Sequence, residues 1–192
     1  MIYVIDLRHY LDANGDPGAG RAAALARLYG RIAAAAATRH RGVTFLTAIP
    51  CNRRPGRRPC PGRLGVLRHP DDCVEWRCST CDFQGYIRGW RGTPWDVVGR
   101  AASAGDESTR ELYITEDEYQ AVIDLDLSTP DVRAAVCGGA LTLQGVQILG
   151  SVGTLTRIAR EAWEVVAVEK NRRRLLLLDH VAAQIEDMLG GI

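Results

Sequence analysis

Cysteine is the residue type whose number and spacing point most directly to chemistry in this chain. Five of its six cysteines lie between positions 51 and 81: Cys51, Cys60, Cys73, Cys78 and Cys81. Cys78 and Cys81 form a CxxC pair, a spacing that lets two thiolates reach one tetrahedral metal ion from a tight turn. Eight residues separate Cys51 from Cys60, and this segment contains two prolines and a glycine that favour a loop. The pattern predicts one structural Zn²⁺ ion held by Cys51, Cys60, Cys78 and Cys81.

Other uses of these thiols remain as alternatives. A CxxC pair also fits a redox site, or the cysteines are simply buried thiols, but a thioredoxin-type motif follows a strand and opens a helix. Cys81 is instead followed by a turn and by strand-like residues, Asp82-Phe83-Gln84-Gly85-Tyr86-Ile87. A catalytic zinc ion is disfavoured because such sites keep an open position and normally use His or carboxylate ligands. Cys73 is interpreted as a spare thiol, with His69 as the less favoured substitute ligand, and Cys137 is given no role.

Arginine is concentrated in the same part of the chain. Residues 51–100 hold ten Arg and five acidic residues, whereas residues 101–135 hold two Arg and nine acidic residues. Four of these arginines lie in the loop between Cys51 and Cys60: Arg53, Arg54, Arg57 and Arg58. Because basic side chains bind nucleic acid through its phosphates, this loop is a candidate nucleic-acid-binding segment. A solvated loop and a loop masked by the acidic stretch are the alternatives.

Large apolar residues lie close to the cysteines in the sequence. They are Trp76, Tyr86, Ile87, Trp90 and Trp95. A small metal-binding module buries little surface by itself, so most of these side chains are expected to cover the metal site. The alternative is that the rings stack on nucleobases beside the basic loop.

A second group of polar residues follows the first predicted strand and defines the rival hypothesis. Asp6, Arg8 and His9 lie there, with Asp12 close by, and strand ends can place catalytic groups. Hydrogen bonding to a local loop is the commoner use of such residues. The chain has no GxxxxGK[ST], HExxH or GxSxG motif. An enzyme using Asp6, Arg8 and His9 therefore requires these side chains to share a pocket with another acid.

The elements that would position these residues are visible in local patterns. Residues 1–7 contain β-branched residues and predict a strand, the alanine-rich residues 20–38 predict a helix, and residues 43–49 predict a strand that leads into Cys51. Residues 101–110 are small and polar, as in a linker. Residues 115–118 form a capping box that starts a short helix ending near Ile123.

The rest of the chain predicts further helices and one hairpin. Residues 128–131 place proline in the first turn of a second short helix, which Gly138-Gly139 ends. Residues 141–148 suggest a β-hairpin. Apolar residues with helical period from Leu155 and again from Leu175 predict a helical hairpin, with one continuous helix as the alternative.

Longer stretches of this sequence resemble uncharacterised bacterial zinc-ribbon proteins, a domain of unknown function. The residues that carry the resemblance are Asp6 to Asp12, Ile49-Pro50-Cys51, Arg58-Pro59-Cys60-Pro61-Gly62, Glu75-Trp76-Arg77-Cys78 with Cys81, and Ile87-Arg88-Gly89-Trp90-Arg91-Gly92-Thr93-Pro94-Trp95-Asp96. The resemblance covers the first half of the chain and implies a zinc-binding ribbon without an assigned activity. Cys73 departs from the family's pattern, which supports leaving it out of the ligand set.

Together these patterns predict an α+β protein of two units. Residues 1–105 form a strand-helix-strand unit carrying a zinc ribbon at about 43–98, and residues 106–192 form a mostly helical unit with the helical hairpin. We expect a zinc-stabilised, non-catalytic binding or adaptor module whose partner is a protein or a nucleic acid. The apolar faces of the C-terminal helices predict a homodimer, with packing inside one chain as the alternative. No apolar run is long enough for a membrane span, and the first twelve residues carry acids where a signal peptide has bases, so a cytoplasmic protein without membrane contact is expected.

Overall fold

The computed structural model describes residues 2–98, 109–125, 127 and 129–190. It confirms an α+β fold with a mixed sheet. The strands are β1 (Ile2–Asp6), β2 (Thr44–Pro50), β3 (Arg63–Arg68), β4 (Val74–Cys78), β5 (Gln84–Arg88), β6 (Thr109–Ile114), β7 (Ala140–Thr142) and β8 (Gly145–Ser151). The helices are α1 (Gly20–Ala37), α2 (Glu116–Ile123), α3 (Pro130–Cys137), α4 (Val152–Val166) and α5 (Arg172–Met188). Short 3-10 turns span Leu7–Tyr10 and Pro55–Arg57.

The described strands form one eight-stranded sheet in the order β1-β5-β4-β3-β2-β7-β8-β6. Only β1 and β5 are parallel, and the other neighbours are antiparallel. Within the sheet, the N-terminal and C-terminal parts join between β2 and β7. Thr47 pairs with Ala140, and the Ala48 N–H donates to the Gly139 carbonyl at 3.2 Å. The predicted unit boundary near 105 lies outside the described residues.

The alanine-rich helix α1 lies against β2, β3 and β4. Alanine has the highest helix propensity, and its small side chain lets the helix axis come close to the sheet. The five residues from Ala33 to Ala37 are all buried. The helix ends at Thr38, whose hydroxyl donates to the Ala35 carbonyl at 2.7 Å.

Local capping signals begin both short helices as the sequence predicts. The Thr115 hydroxyl accepts the Glu118 N–H at 3.3 Å, and the Glu118 carboxylate accepts the Thr115 N–H at 2.7 Å. This reciprocal pair confirms the capping box. Thr129 caps α3, which carries proline in its first turn and ends at Cys137.

The C-terminal helices form a hairpin, not one continuous helix. Ser151 caps α4 and Asn171 caps α5 through side-chain oxygens that accept backbone N–H groups of the first turn. The helices pack on each other, and α5 also contacts α2. Their apolar faces, which motivated the homodimer prediction, are buried within the chain at Leu155 and Leu178. Burial of these faces therefore does not require a second copy, and the homodimer stays a prediction.

The sequence analysis did not predict the strand β6. The predicted linker ended at Arg110, but Thr109 and Arg110 begin β6 and pair with Ser151 and Gly150 of β8. The pairing partner lies about forty residues away, so the polar start of this strand carries no local signal. Among the described helices, none combines the length and apolar content of a membrane span.

Candidate metal centre

Four cysteines converge at one end of the β2 to β5 region. Cys51 directly follows β2, Cys60 closes the loop that follows it, Cys78 is the last residue of β4, and Cys81 lies in the turn before β5. The Cys51 and Cys81 sulfurs are 3.7 Å apart, as are those of Cys60 and Cys78. All four sulfurs lie within 4.8 Å of one another. These are the four residues that the sequence predicts as ligands, and the structure brings them together.

The sulfur separations fit a single bound ion. Metal–sulfur bonds of about 2.3 Å in a tetrahedral site place neighbouring sulfurs about 3.8 Å apart. A disulfide would bring two sulfurs to about 2.05 Å, and all six cysteines of the chain are free thiols. The four cysteines can therefore hold one metal ion. Tetrahedral thiolate sets suit zinc or iron, and the sulfur geometry is the same for both.

Backbone hydrogen bonds join the two halves of the site. The Cys51 N–H donates to the Gly62 carbonyl at 2.9 Å. The Ser79 N–H donates to the Arg63 carbonyl at 2.9 Å, and the Arg63 N–H donates to the Ser79 hydroxyl at 3.0 Å. The segment after Cys60 is thus fixed against the turn after Cys78. The ligand pairs come from separate loops but are held in one register.

Amide groups also point at the sulfurs. The Cys78 sulfur accepts N–H groups from Thr80 at 3.3 Å and from Cys81 at 3.4 Å, and the Cys60 sulfur accepts the Gly62 N–H at 3.4 Å. Burial acts to raise the pKa of Cys78, but these amides outweigh it and the pKa is lowered. Burial raises the pKa of Cys51, and the neighbouring thiols raise it further. A metal ion displaces the protons that such crowded thiols share, so binding releases protons.

Gly62 is required by the packing around Cys78. A methyl group built on Gly62 would overlap the Cys78 sulfur and lie 2.9 Å from the Thr80 hydroxyl. A side chain at this position therefore requires the Cys78 sulfur or the backbone at Gly62 to move. In the sequence, Gly62 is singled out only as part of the stretch that resembles zinc-ribbon proteins. Its position two residues after the ligand Cys60 is the signal that could have identified it.

The four arginines of the Cys51–Cys60 loop differ in their contacts. Arg53 packs over the rings of Tyr3 and Phe83, and its guanidinium donates to the Tyr3 hydroxyl at 3.1 Å. Arg54, Arg57 and Arg58 are exposed, and none of the ion pairs seen among the described residues involves them. Three of the four predicted nucleic-acid-binding arginines thus point into solvent, and the fourth has partners within the chain.

The acidic first turn of α2 lies near basic side chains. Glu116 pairs with Arg63, Asp117 pairs with Arg173 at 2.7 Å, and Glu118 pairs with His180. These three acids complement the positive end of the α2 dipole, and each also has a basic partner. The partners do not include the exposed loop arginines. The described part of the acidic stretch therefore does not mask them.

The aromatic residues near the cysteines have packing roles. Trp76, Trp90 and Trp95 are buried together with Ile87, and Tyr86 is half-buried. The indole N–H of Trp90 donates to the Asp72 carbonyl at 2.6 Å. Buried indole faces are not accessible to nucleobases, so these rings belong to the core.

The two remaining cysteines lie outside the four-sulfur cluster. The buried Cys73 is near Arg88, and a hydrogen bond with this thiol raises the pKa of the guanidinium. His69, the substitute ligand considered above, has its Nε2 atom 3.1 Å from the Glu75 carboxylate. Cys137 is buried at the end of α3, and burial raises its pKa to about 11.

Asp6 and Arg8, two of the three residues of the enzyme hypothesis, bond to each other. The Arg8 guanidinium donates to the Asp6 carboxylate through Nε at 2.9 Å, and the Arg8 N–H donates to the same group at 3.1 Å. These hydrogen bonds hold the pKa of Asp6 at about 2. His9 is exposed. Local bonding of this kind is the pattern expected of residues that order a strand exit, and it gives the enzyme hypothesis no support.

Comparison of the chain with protein-family models, with curated proteins and with solved structures found no match.

Proposed function

We propose that this chain is a zinc-stabilised, non-catalytic binding module whose Cys51–Cys60 loop contacts the phosphate backbone of nucleic acid. In the proposed zinc ribbon, the loop after β2 supplies Cys51 and Cys60, and the turn between β4 and β5 supplies Cys78 and Cys81. The observation that carries the proposal is the convergence of four sulfurs within 4.8 Å.

A set of four thiolates supports a structural role for the ion. Such a set fills all four tetrahedral positions and leaves none for water or substrate, unlike the open sites of zinc enzymes. Three of the four cysteines are buried, which restricts access further. Zinc is preferred to iron because zinc has no redox chemistry. A site to which access is restricted therefore suits zinc better than an iron centre that must exchange electrons with a partner.

The exposed arginines support the choice of nucleic acid as partner. Arg54, Arg57 and Arg58 lie on a loop closed at its base by the Cys60 N–H, which donates to the Arg53 carbonyl at 2.9 Å. A metal-anchored loop loses little conformational entropy when its side chains contact phosphates. Such contacts read no bases, so binding is sequence-tolerant and weakens as salt rises.

Metal analysis of the purified full-length protein tests the first half of the proposal. We expect one zinc per chain, colourless protein, and loss of the metal in Cys78→Ser. The control is Cys73→Ser, which removes a buried thiol outside the cluster and keeps the metal. Full zinc content in Cys78→Ser would overturn the ligand assignment, and a coloured protein containing iron would overturn the choice of metal.

Titration of a fluorescent single-stranded oligonucleotide at several salt concentrations tests the second half. Affinity should fall steeply as salt increases, because each phosphate contact releases a counterion. Absence of binding at low salt, or a flat salt response, would point to a protein partner instead.

A further inference from the structure

A cavity of about 450 Å³ lies away from the cysteine cluster, where α1, the segment after β5 and the α2–α3 region meet. None of the four clustered cysteines lines it. Its lining includes the apolar residues Pro94, Trp95, Ile123, Leu125 and Leu127, and one carboxylate, that of the exposed Asp16. Its volume is within the range of about 300 to 1,000 Å³ that is usual for small-molecule sites.

Arg133 brings a positive charge to the cavity. Its guanidinium donates to two neutral backbone carbonyls, those of Pro94 and, at 2.7 Å, Leu127. These bonds hold the planar group in place at the cavity wall. A carbonyl oxygen accepts a hydrogen bond without neutralising the guanidinium, so these two contacts leave its charge in place.

Two arginines of α1 also line the cavity, so its lining holds three arginines and one carboxylate. Arg31 pairs with Asp124 at 2.9 Å, and its side chain is 20% exposed. Arg27, one helical turn earlier, is exposed and takes part in none of the ion pairs found among the described residues. Burial raises the pKa of Cys137, a further lining residue, to about 11, so this thiol is neutral at pH 7 and does not repel an anion.

The apolar wall is rigid at its aromatic residue. Trp95 is 5% exposed, and its ring lies directly on α1 at Gly30, where a methyl group would overlap it. A preformed apolar wall of this kind contacts a ligand without the cost of ordering its side chains on binding. The cavity thus combines apolar side chains with guanidinium groups.

We infer that this cavity binds a small molecule that carries one anionic group, a phosphate or a carboxylate, on a small apolar body. Arg133 and Arg27 would contact the anionic group, and the body would lie against the apolar lining that includes Trp95. The site is independent of the metal centre and of the nucleic-acid proposal.

The test is a titration of the full-length, metal-loaded, ¹⁵N-labelled protein with phenyl phosphate, and in parallel with benzoate. The chain has four tryptophans, and their indole N–H signals are resolved from the rest of the spectrum. Trp95→Phe identifies the Trp95 signal in the unliganded protein. We expect this signal to shift saturably with at least one of the two anions, and their relative affinities identify the anionic group.

Two matched variants, and two probes that each carry only one half of the ligand, serve as controls. Arg27→Ala should weaken binding about fivefold, because an exposed charged contact is lost. Arg21→Ala removes another exposed arginine of α1 that does not line the cavity and should bind like the unmodified protein. Benzyl alcohol and inorganic phosphate should each bind more weakly than the better anion.

Three results would overturn the inference. They are the absence of a saturable Trp95 shift with both anions, equal affinities for the anion and benzyl alcohol, and equal affinities of the Arg27→Ala and Arg21→Ala variants. Tight binding of inorganic phosphate alone would refute the role of the apolar wall. Because Arg27 is exposed, its replacement does not remove buried packing, and the dispersion of the spectrum verifies the fold.

Discussion

Replacing Gly62 with alanine places one methyl group against the metal site without changing a ligand. The added carbon would overlap the Cys78 sulfur and stand 2.9 Å from the Thr80 hydroxyl. Cys78 has little freedom to retreat, because its N–H donates to the Phe83 carbonyl at 2.8 Å and it pairs with Leu64 across β3 and β4. Either the sulfur or the backbone at Gly62 must move.

The size of the effect follows from how little displacement a metal site tolerates. Relief of the overlap requires a shift of several tenths of an ångström, whereas metal–sulfur distances hold within about 0.2 Å. Changes next to metal ligands typically lower affinity about 10- to 100-fold, or about 1.4 to 2.7 kcal/mol. We expect Gly62→Ala to fold around zinc but to release it to a chromophoric chelator at a correspondingly lower chelator concentration.

Gly65→Ala is the matched control for this experiment. It lies three residues further along in β3, and its new methyl group would have its nearest neighbour, the Arg77 carbonyl oxygen, at 3.6 Å, an ordinary contact. Its metal affinity should equal that of the unmodified chain. Equal affinity in Gly62→Ala and Gly65→Ala would refute the argument that the Cys78 sulfur is held against Gly62.

Two further predictions concern the basic loop and the start of α2. Joint replacement of Arg54, Arg57 and Arg58 by alanine should weaken oligonucleotide binding and reduce the slope of log affinity against log salt by about 2, since single strands lose about 0.7 per phosphate contact. Replacement of Arg21, Arg27 and Arg160, which are also exposed, should leave that slope unchanged, and an unchanged slope in the loop variant would exclude these arginines as the phosphate contacts. Thr115→Ala removes the hydroxyl that accepts the Glu118 N–H and should lower the free energy of unfolding in urea by about 1 kcal/mol. Thr156→Ala, in the first half of α4, has no cap to lose, so a larger loss there than in Thr115→Ala would contradict the capping argument.

The features that the sequence predicted correctly depend on neighbours within a few residues. The capping box joins Thr115 to Glu118, Thr129 caps the helix that begins one residue later, and the alanines of α1 favour helix wherever they occur. The CxxC pair likewise needs only one tight turn. Local chemistry of this kind is readable because the interacting groups are close along the chain before folding begins.

Convergence of the four sulfurs is only partly local. Residue type and spacing predicted Cys51, Cys60, Cys78 and Cys81 as the ligands. Cys73 was interpreted as a spare thiol. The antiparallel register of β3 and β4, in which Leu64 pairs with Cys78, places the two ligand pairs beside each other and leaves Cys73 outside the cluster. Register is set by side chains that face the core along the whole strand, so the spacing of the cysteines alone does not contain it.

Tertiary structure alone decided the remaining features. The parallel pairing of β1 with β5 and the join between Thr47 and Ala140 connect residues that are distant in the chain. The arginines that line the cavity beside Trp95 come from α1 and α3. A side chain at Gly30 would overlap the Trp95 ring, and this contact exists only because Trp95 lies on α1. Contacts between distant segments form when apolar faces are buried together, and their partners are chosen by shape and charge across the whole fold, which no short window of sequence records.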